Sequence, residues 1–157
     1  MADKKLRYWD SDTFLAYLEG DKTKAPYCMG VIQSIENDEI EIVTSALTIT
    51  EVLYLKGHPK VTTEISDKIA DFFQSNFIKI INLDRKTAEI GRDLVLNQNV
   101  RPKDAVHLAT ASQVNNNIRP IECFDTFDKD LIRLSNKIGN PTFKIAVPDV
   151  PFQEKLV

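Results

Sequence analysis

The sequence predicts an α/β domain built around a mostly parallel sheet. Short segments rich in β-branched and aromatic residues alternate with longer segments whose apolar residues recur at helical spacing. Hydrophobic residues make up 43% and charged residues 27% of the 157 residues, which suits one globular domain with a full core. Strands that alternate with helices in this way are typical of a parallel sheet covered by helices.

The first quarter of the chain predicts two strands with two helices between them. Residues 6–10 (Leu-Arg-Tyr-Trp-Asp) predict a short strand that ends on an acid. The apolar run at 14–18 predicts a short helix. Residues 27–37 predict a longer one, because four apolar residues recur at positions i, i+3, i+4 and i+7. Residues 40–44 (Ile-Glu-Ile-Val-Thr) are mostly β-branched and predict the second strand.

The middle of the chain predicts three helices and the third strand. A helix is expected over 46–56, where a serine precedes it and a glycine and a proline soon follow it. Residues 62–76 predict an amphipathic helix with one apolar face. Residues 77–83 (Phe-Ile-Lys-Ile-Ile-Asn-Leu) predict a strand, and residues 84–98 return to the helical pattern.

The last third predicts two further strands. A helix is expected over 102–114, because a proline suits its first position and the three asparagines at 115–117 are expected to break it. Residues 118–124 predict a strand, 131–134 a short helix, and 142–147 the last strand. We expect residues 1–147 to form a single domain and residues 148–157 a short C-terminal tail.

Charge and cysteine content narrow the class of protein. The net charge of −3 argues against a protein that coats nucleic acid through bulk positive charge, but not against a nuclease whose acids hold cations. Cys28 and Cys123 lie far apart and predict buried free thiols in a reducing compartment. The N-terminus does not resemble a signal peptide, and no apolar run approaches a membrane span. We therefore expect a cytoplasmic protein with no membrane partner.

Several acids fall where a parallel sheet places its functional crevice. That crevice lies at the carboxyl ends of the strands, where strand order reverses. Asp10 ends the first predicted strand, and Asp125 and Asp128 follow the fourth. Asp104 lies in the first turn of the helix over 102–114, where a carboxylate is favoured by the helix dipole. Taken alone, Asp104 could be no more than a capping acid.

Glu51 is the acid that is hardest to explain as a surface charge. Its helix is apolar nearly all round, and its neighbours four residues away are Leu47 and Leu55. A carboxylate on such a stripe is costly unless a charge or hydrogen bonds compensate it, and no lysine stands at either neighbouring position. An exposed acid on a half-buried helix remains the simpler alternative.

Clustered carboxylates without histidine or cysteine ligands suit hard cations, Mg²⁺ or Mn²⁺. With such ions an enzyme can activate water and stabilise the charge of a phosphodiester transition state. The acids of this sequence therefore point to metal-dependent hydrolysis, provided that the fold brings them together.

Four segments resemble, in order and spacing, the motifs of the PIN (PilT N-terminus) domain family: residues 8–11, 45–53, 101–111 and 126–131. The resemblance implies an α/β/α sandwich with a five-stranded sheet of order 3-2-1-4-5. It also implies a ribonuclease that uses Mg²⁺ or Mn²⁺ and whose catalytic and metal-binding acids are Asp10, Glu51, Asp104 and Asp128.

The resemblance carries further expectations. Many small members are VapC-type toxins of type II toxin–antitoxin systems, held inactive by an antitoxin protein and often homodimeric. Ser11 matches the small hydroxyl residue that follows the first acid in the family. Asp125 remains an alternative to Asp128 as the fourth acid.

Other side chains near these motifs have weaker assignments. Lys56, Arg101 and Lys103 could contact RNA phosphates, although a solvated charged rim is the favoured explanation for each of them. His107 is expected to be a helix-surface residue or a support for the acids rather than a general base. Tyr8 and Trp9 are expected to pack in the core rather than stack on RNA bases.

Three alternative functions stay open. The first is an RNA-processing nuclease of the same fold outside a toxin system. The second is a haloacid-dehalogenase-like phosphatase, because residues 10–13 (Asp-Ser-Asp-Thr) resemble its paired aspartates, with Asp10 as nucleophile and Asp12 as general acid. That pattern wants a threonine where this chain has Phe14, and it leaves Glu51 without a role. The third is a binding scaffold without catalysis.

Overall fold

The computed structural model describes residues 3–52 and 62–154. In this part of the chain five strands form one parallel sheet in the order β3-β2-β1-β4-β5. This order confirms the predicted fold class. The strands are β1 (Lys5–Trp9), β2 (Ile40–Ser45), β3 (Ile78–Ile81), β4 (Ile121–Asp125) and β5 (Ile145–Ala146).

Helices cover both faces of the sheet. One hydrophobic core joins the sheet to α5, α6 and α7, and a second joins the opposite face to α1, α2 and α4. The helices are α1 (Ser11–Glu19), α2 (Ala25–Glu36), α3 (Leu47–Glu51), α4 (Thr63–Phe73), α5 (Arg85–Gln98), α6 (Pro102–Asn117) and α7 (Lys129–Ile132).

The central strand β1 supplies side chains to both cores, because successive residues of a strand face opposite sides. Tyr8 stacks on Phe124 of β4 with ring centroids 4.7 Å apart. Trp9 points to the other face and meets Phe14 of α1 edge-on at 5.2 Å. Both β1 aromatic side chains are fully buried, which confirms their predicted packing role.

The largest differences from the predicted elements lie in the last third. The strand predicted over 118–124 begins only at Ile121, just after Pro120, which has no N–H to donate to a ladder. The strand predicted over 142–147 pairs with β4 only at Ile145 and Ala146. The helix predicted over 46–56 is seen as α3, and residues 53–56 lie outside the described part of the chain.

The asparagines at 115–117 do not break α6, which was predicted to end at residue 114. Asn115 is buried, and its side chain accepts a hydrogen bond from the Ile121 N–H at 2.9 Å and donates one to the Pro141 carbonyl at 2.7 Å. Its amide thus joins α6 to distant backbone instead of competing with the helix.

The C-terminal segment 149–153 packs on α2 and reaches the Arg7 side chain of β1. Gln33 and Gln153 exchange two hydrogen bonds of 2.6 and 2.8 Å. Asp149 accepts a hydrogen bond from Arg7 at 2.9 Å. Cys28 and Cys123 are buried free thiols, as predicted. No helix in the described residues is long and apolar enough to cross a membrane.

Candidate functional site

The candidate site lies at the carboxyl edge of the sheet, where the strand order reverses between β1 and β4. Asp10 directly follows β1 and caps α1, since its Oδ1 accepts hydrogen bonds from the N–H and the hydroxyl of Thr13 at 3.0 and 2.8 Å. Its Oδ2 accepts one from Thr126 at 2.6 Å. Burial raises the pKa of Asp10 to about 6, although the hydrogen bonds from Thr126 and Thr13 act to lower it.

One threonine hydroxyl connects Asp10 to Asp128. The Oγ1 atom of Thr126, which donates to Asp10, also accepts a hydrogen bond from the Asp128 N–H at 3.1 Å. Asp128 is half-buried and caps α7 by accepting a hydrogen bond from the Asp130 N–H at 2.9 Å. The acids that follow β1 and β4 are therefore held at the same edge of the sheet.

Glu51, the last residue of α3, is compensated from two other helices. Its Oε1 accepts hydrogen bonds from the Ser11 hydroxyl at 2.7 Å and from Nε2 of His107 at 2.6 Å. Burial acts to raise the pKa of Glu51, but these two hydrogen bonds and neighbouring positive charge outweigh it and lower the pKa below its ordinary value. The partners missing from its own helix come from α1 and α6, so Glu51 is not merely a surface acid.

Asp104 is a half-buried acid in the first turn of α6, but it is not the capping residue. Arg101 holds the N-cap position. Among the described residues no hydrogen-bond donor reaches the Asp104 carboxylate. Burial, followed by the negative charges of Asp128, Asp12 and Glu51, raises its pKa. Asp104 thus faces other acids from three different segments of the chain.

Asp125 lies beside these acids, but its carboxylate already accepts three hydrogen bonds from other side chains. Arg7 of β1 donates to its two carboxylate oxygens at 2.7 and 2.9 Å, and the Trp9 indole N–H donates at 2.9 Å. Both Arg7 and Asp125 are buried, so they form an internal ion pair. This pair was missed at the sequence level. The sequence did contain a signal for it, because Arg7 lies inside a predicted strand and Asp125 follows another predicted strand.

His107 was expected to be either a helix-surface residue or a support for the acids, and its burial distinguishes the two. It is not on the helix surface, because only 2% of it is exposed. Its Nδ1 lies 2.7 Å from the Tyr8 hydroxyl, and its Nε2 meets Glu51. The expectation that it supports the acids agrees with these contacts.

Basic side chains stand at the mouth of the site. Arg101 lines a cavity of about 450 Å³ together with Asp104 and Arg133. Lys103 lies close enough to Glu51 for its charge to help lower the pKa of that carboxyl. Lys56 lies outside the described residues.

The ligand types of the site suit a metal ion, but within the described part of the chain the arrangement of these ligands does not form a metal site. Carboxylate oxygens are the ligands that Mg²⁺ and Mn²⁺ prefer, and the mutual repulsion at Asp104 is what a cation would relieve. Within residues 3–52 and 62–154, however, no three His, Cys, Asp or Glu side chains are arranged to hold a metal ion as they stand. The site fits a hard cation by its ligand types, with the acids close to one another but not closed into a cage.

A protein-family model for the PIN domain matches residues 8–137, so the chain belongs to the PIN domain family. A toxin–antitoxin complex from Klebsiella pneumoniae shares the fold with a TM-score of 0.53 and 20% identity, over 80% of this chain and 89% of that chain. VapBC2 from Rickettsia felis, bound to a DNA fragment from its promoter, aligns with a TM-score of 0.61 and 14% identity, over 89% of this chain and 98% of that one. No significant match is found among curated proteins.

Proposed function

We propose that this chain is a metal-dependent endoribonuclease that hydrolyses RNA phosphodiester bonds. The observation that carries the proposal is the state of Asp104, a half-buried carboxylate without a hydrogen-bond donor among the described residues and facing the charges of other acids. Such a group is costly in an isolated fold and useful in one that binds a cation. Membership of the PIN family supports the same function.

In this proposal Asp10, Glu51, Asp104 and Asp128 bind Mg²⁺ or Mn²⁺. The bound ion would activate water and stabilise the developing charge on the phosphate. Hydrogen bonds already hold Asp10 and Glu51. The half-buried Asp104 accepts no hydrogen bond from the described residues and is free to turn toward a cation, whereas Asp128 is held through Oδ1 by the Asp130 N–H. Asp125 is disfavoured as the fourth acid, because Arg7 already neutralises it.

The other polar residues of the site would bind the RNA or hold the acids in place. Arg101 and Lys103 are suited to contact phosphates, which are the usual targets of such side chains at a nucleic-acid surface. The Ser11 hydroxyl would act by holding Glu51 rather than by touching a metal.

We further propose that the chain is the toxin of a type II toxin–antitoxin system. The support is that both similar structures described above are toxin–antitoxin complexes. The partners would then be an antitoxin protein and a second copy of this chain. Co-expression with the product of a neighbouring reading frame should relieve growth arrest, and normal growth on expression of this chain alone would contradict the toxin assignment.

The nuclease proposal is tested by RNA cleavage in the presence of Mn²⁺. Asp104→Asn is expected to lower the cleavage rate by about 100-fold or more, because it removes a charge that acts on the transition state through the cation. Asp67→Asn, which changes an exposed acid of α4, is the matched control and should cut like the wild type.

Two results would contradict the nuclease proposal. One is an Asp104→Asn variant that cleaves RNA as fast as the wild type. The other is turnover of a generic phosphomonoester without RNA cleavage, which would favour the phosphatase alternative.

A further inference from the structure

A buried hydrogen-bonded chain joins the core to Glu51 through His107. The Ser45 backbone N–H donates to the Tyr8 hydroxyl oxygen at 3.1 Å. The Tyr8 hydroxyl lies 2.7 Å from Nδ1 of His107, and Nε2 of His107 lies 2.6 Å from Oε1 of Glu51. The Tyr8 hydroxyl is therefore hydrogen-bonded on both sides, and the His107 ring lies between Tyr8 and Glu51.

The partners determine which nitrogen of His107 carries the ring proton. A glutamate carboxylate is ionised at neutral pH and then only accepts hydrogen bonds, as Oε1 of Glu51 does from the Ser11 hydroxyl at 2.7 Å. Nε2 must therefore donate. With one ring proton on Nε2, Nδ1 keeps a lone pair and accepts the proton of the Tyr8 hydroxyl, whose oxygen in turn accepts from Ser45. All three bonds are satisfied without a second ring proton.

Tyr8 is a rigid starting point for this chain. Its ring is fully buried, stacks on Phe124 and meets the His107 ring edge-on at 5.8 Å. A phenol also keeps its proton at neutral pH, so the Tyr8 hydroxyl has a proton to donate. The core thus fixes both the orientation and the tautomer of His107.

The chain ends on one oxygen of Glu51 and leaves the other available. Ser11 and His107 both donate to Oε1, and no hydrogen bond from the described residues reaches Oε2. Glu51 ends a helix of only five residues, which by itself gives a long side chain little restraint. Its carboxylate is oriented by its partners rather than by α3.

We propose that His107 is a positioning residue that, with its tautomer set by Tyr8, holds the Glu51 carboxylate so that Oε2 faces a bound cation. The inference rests on the proposed function, because it gives Glu51 the role of a metal ligand. His107 itself touches neither the cation nor the RNA. Partners of this kind affect metal affinity by orienting the ligand.

The hydrogen-bonded chain is tested without metal, by ¹⁵N–¹H NMR correlations of the histidine ring at neutral pH. The expected signature is a His107 ring protonated at Nε2 only. Tyr8→Phe removes the donor to Nδ1 and should shift the Nδ1 resonance, whereas Tyr17→Phe in α1 should leave it unchanged. A ring protonated at Nδ1, or at both nitrogens, would overturn the assigned chain.

The positioning role is tested by Mn²⁺ affinity, measured from the EPR signal of free Mn²⁺. His107→Leu removes the donor to Glu51 and should weaken Mn²⁺ binding by about 10- to 100-fold. His107→Gln can place an amide N–H near the position of Nε2 and should recover part of the affinity. Thermal melting in EDTA verifies that each variant is folded. If His107→Leu does not fold, Tyr8→Phe replaces it as the test variant and is expected to weaken Mn²⁺ binding several-fold.

The outcomes separate this inference from the function on which it rests. Wild-type Mn²⁺ affinity in His107→Leu, or equal losses in the Leu and Gln variants, would refute the positioning role while leaving the nuclease proposal intact. A wild-type protein that binds no Mn²⁺ would refute the metal-dependent function, and the role of His107 toward a cation with it.

Discussion

At the scale of single residues, Asp10 shows how the fold accommodates a carboxylate whose ionised form is disfavoured by burial. Only 4% of Asp10 is exposed, yet three hydrogen bonds from two threonines hold its carboxylate. These bonds reduce the cost of burial but do not remove it, since the pKa rises from 3.8 to about 6. At neutral pH the ionised Asp10 therefore lowers the stability of the metal-free protein.

This cost predicts a pH-dependent gain of stability in Asp10→Asn. The penalty is absent below the unfolded pKa of 3.8, grows as pH rises, and is complete above the folded pKa of about 6. Without metal, the variant should match the wild type near pH 4 and exceed it above pH 6 by up to about 3 kcal/mol. Urea denaturation in EDTA across this range measures the difference. A difference that stays constant from pH 4 to 7 would contradict the assignment.

At the scale of elements, helix α2 is shaped by the segment that crosses it. Gly30 faces the C-terminal segment 149–153, and a Cβ atom there would lie 1.7 Å from the carbonyl oxygen of Val150. The glycine is needed for close backbone approach rather than for a turn, since it lies within a regular helix. The absence of one side chain thus allows the C-terminal segment to lie against the domain.

Gly30→Ala should lower the free energy of unfolding, although alanine is the better helix former. The clash involves backbone that must move, and a cost of about 1–3 kcal/mol is expected. Gly91→Ala in α5 is the matched control, because a Cβ there would meet the Ala105 carbonyl at an ordinary 3.5 Å. The control should be neutral or stabilising by up to about 1 kcal/mol in urea denaturation. Equal stability of the two variants would show that the C-terminal segment does not pack on α2.

At the scale of the whole molecule, acids from separate elements meet at one edge of the sheet. Asp10 follows β1, Glu51 ends α3, Asp104 lies in the first turn of α6, and Asp128 caps α7. Parallel strands and their crossover helices bring these chain-distant positions to the same end of the molecule. Burial and, after it, the negative charges of Asp128, Asp12 and Glu51 raise the pKa of Asp104, so a cation bound at this edge would stabilise its ionised form.

Millimolar Mn²⁺ or Mg²⁺ should therefore raise the melting temperature of the wild type. Binding to the folded state alone contributes about 2.7 kcal/mol when the ion is present at about 100 times its Kd. The shift should be smaller in Asp104→Asn and unchanged in the exposed-acid variant Asp67→Asn. Differential scanning calorimetry measures it, and a wild-type melting curve that Mn²⁺ does not move would contradict a metal site.

The sequence by itself determined the class of fold and the positions of the acids. Runs of β-branched and aromatic residues predicted all five strands in their order along the chain, and hydrophobic periodicity predicted helices between them. The strand-end position of Asp10 and the apolar surroundings of Glu51 identified both as unusual. These features depend only on neighbouring residues, so they can be recognised without a structure.

Only the tertiary structure decided how these residues are partnered. Arg7 neutralises Asp125 because β1 pairs with β4, and this pairing sets Asp125 apart from Asp128. His107 reaches Tyr8 and Glu51 because α6 packs against the centre of the sheet. Such contacts join residues some 50 to 120 positions apart in the chain. They depend on packing between elements, which periodicity within one element does not encode.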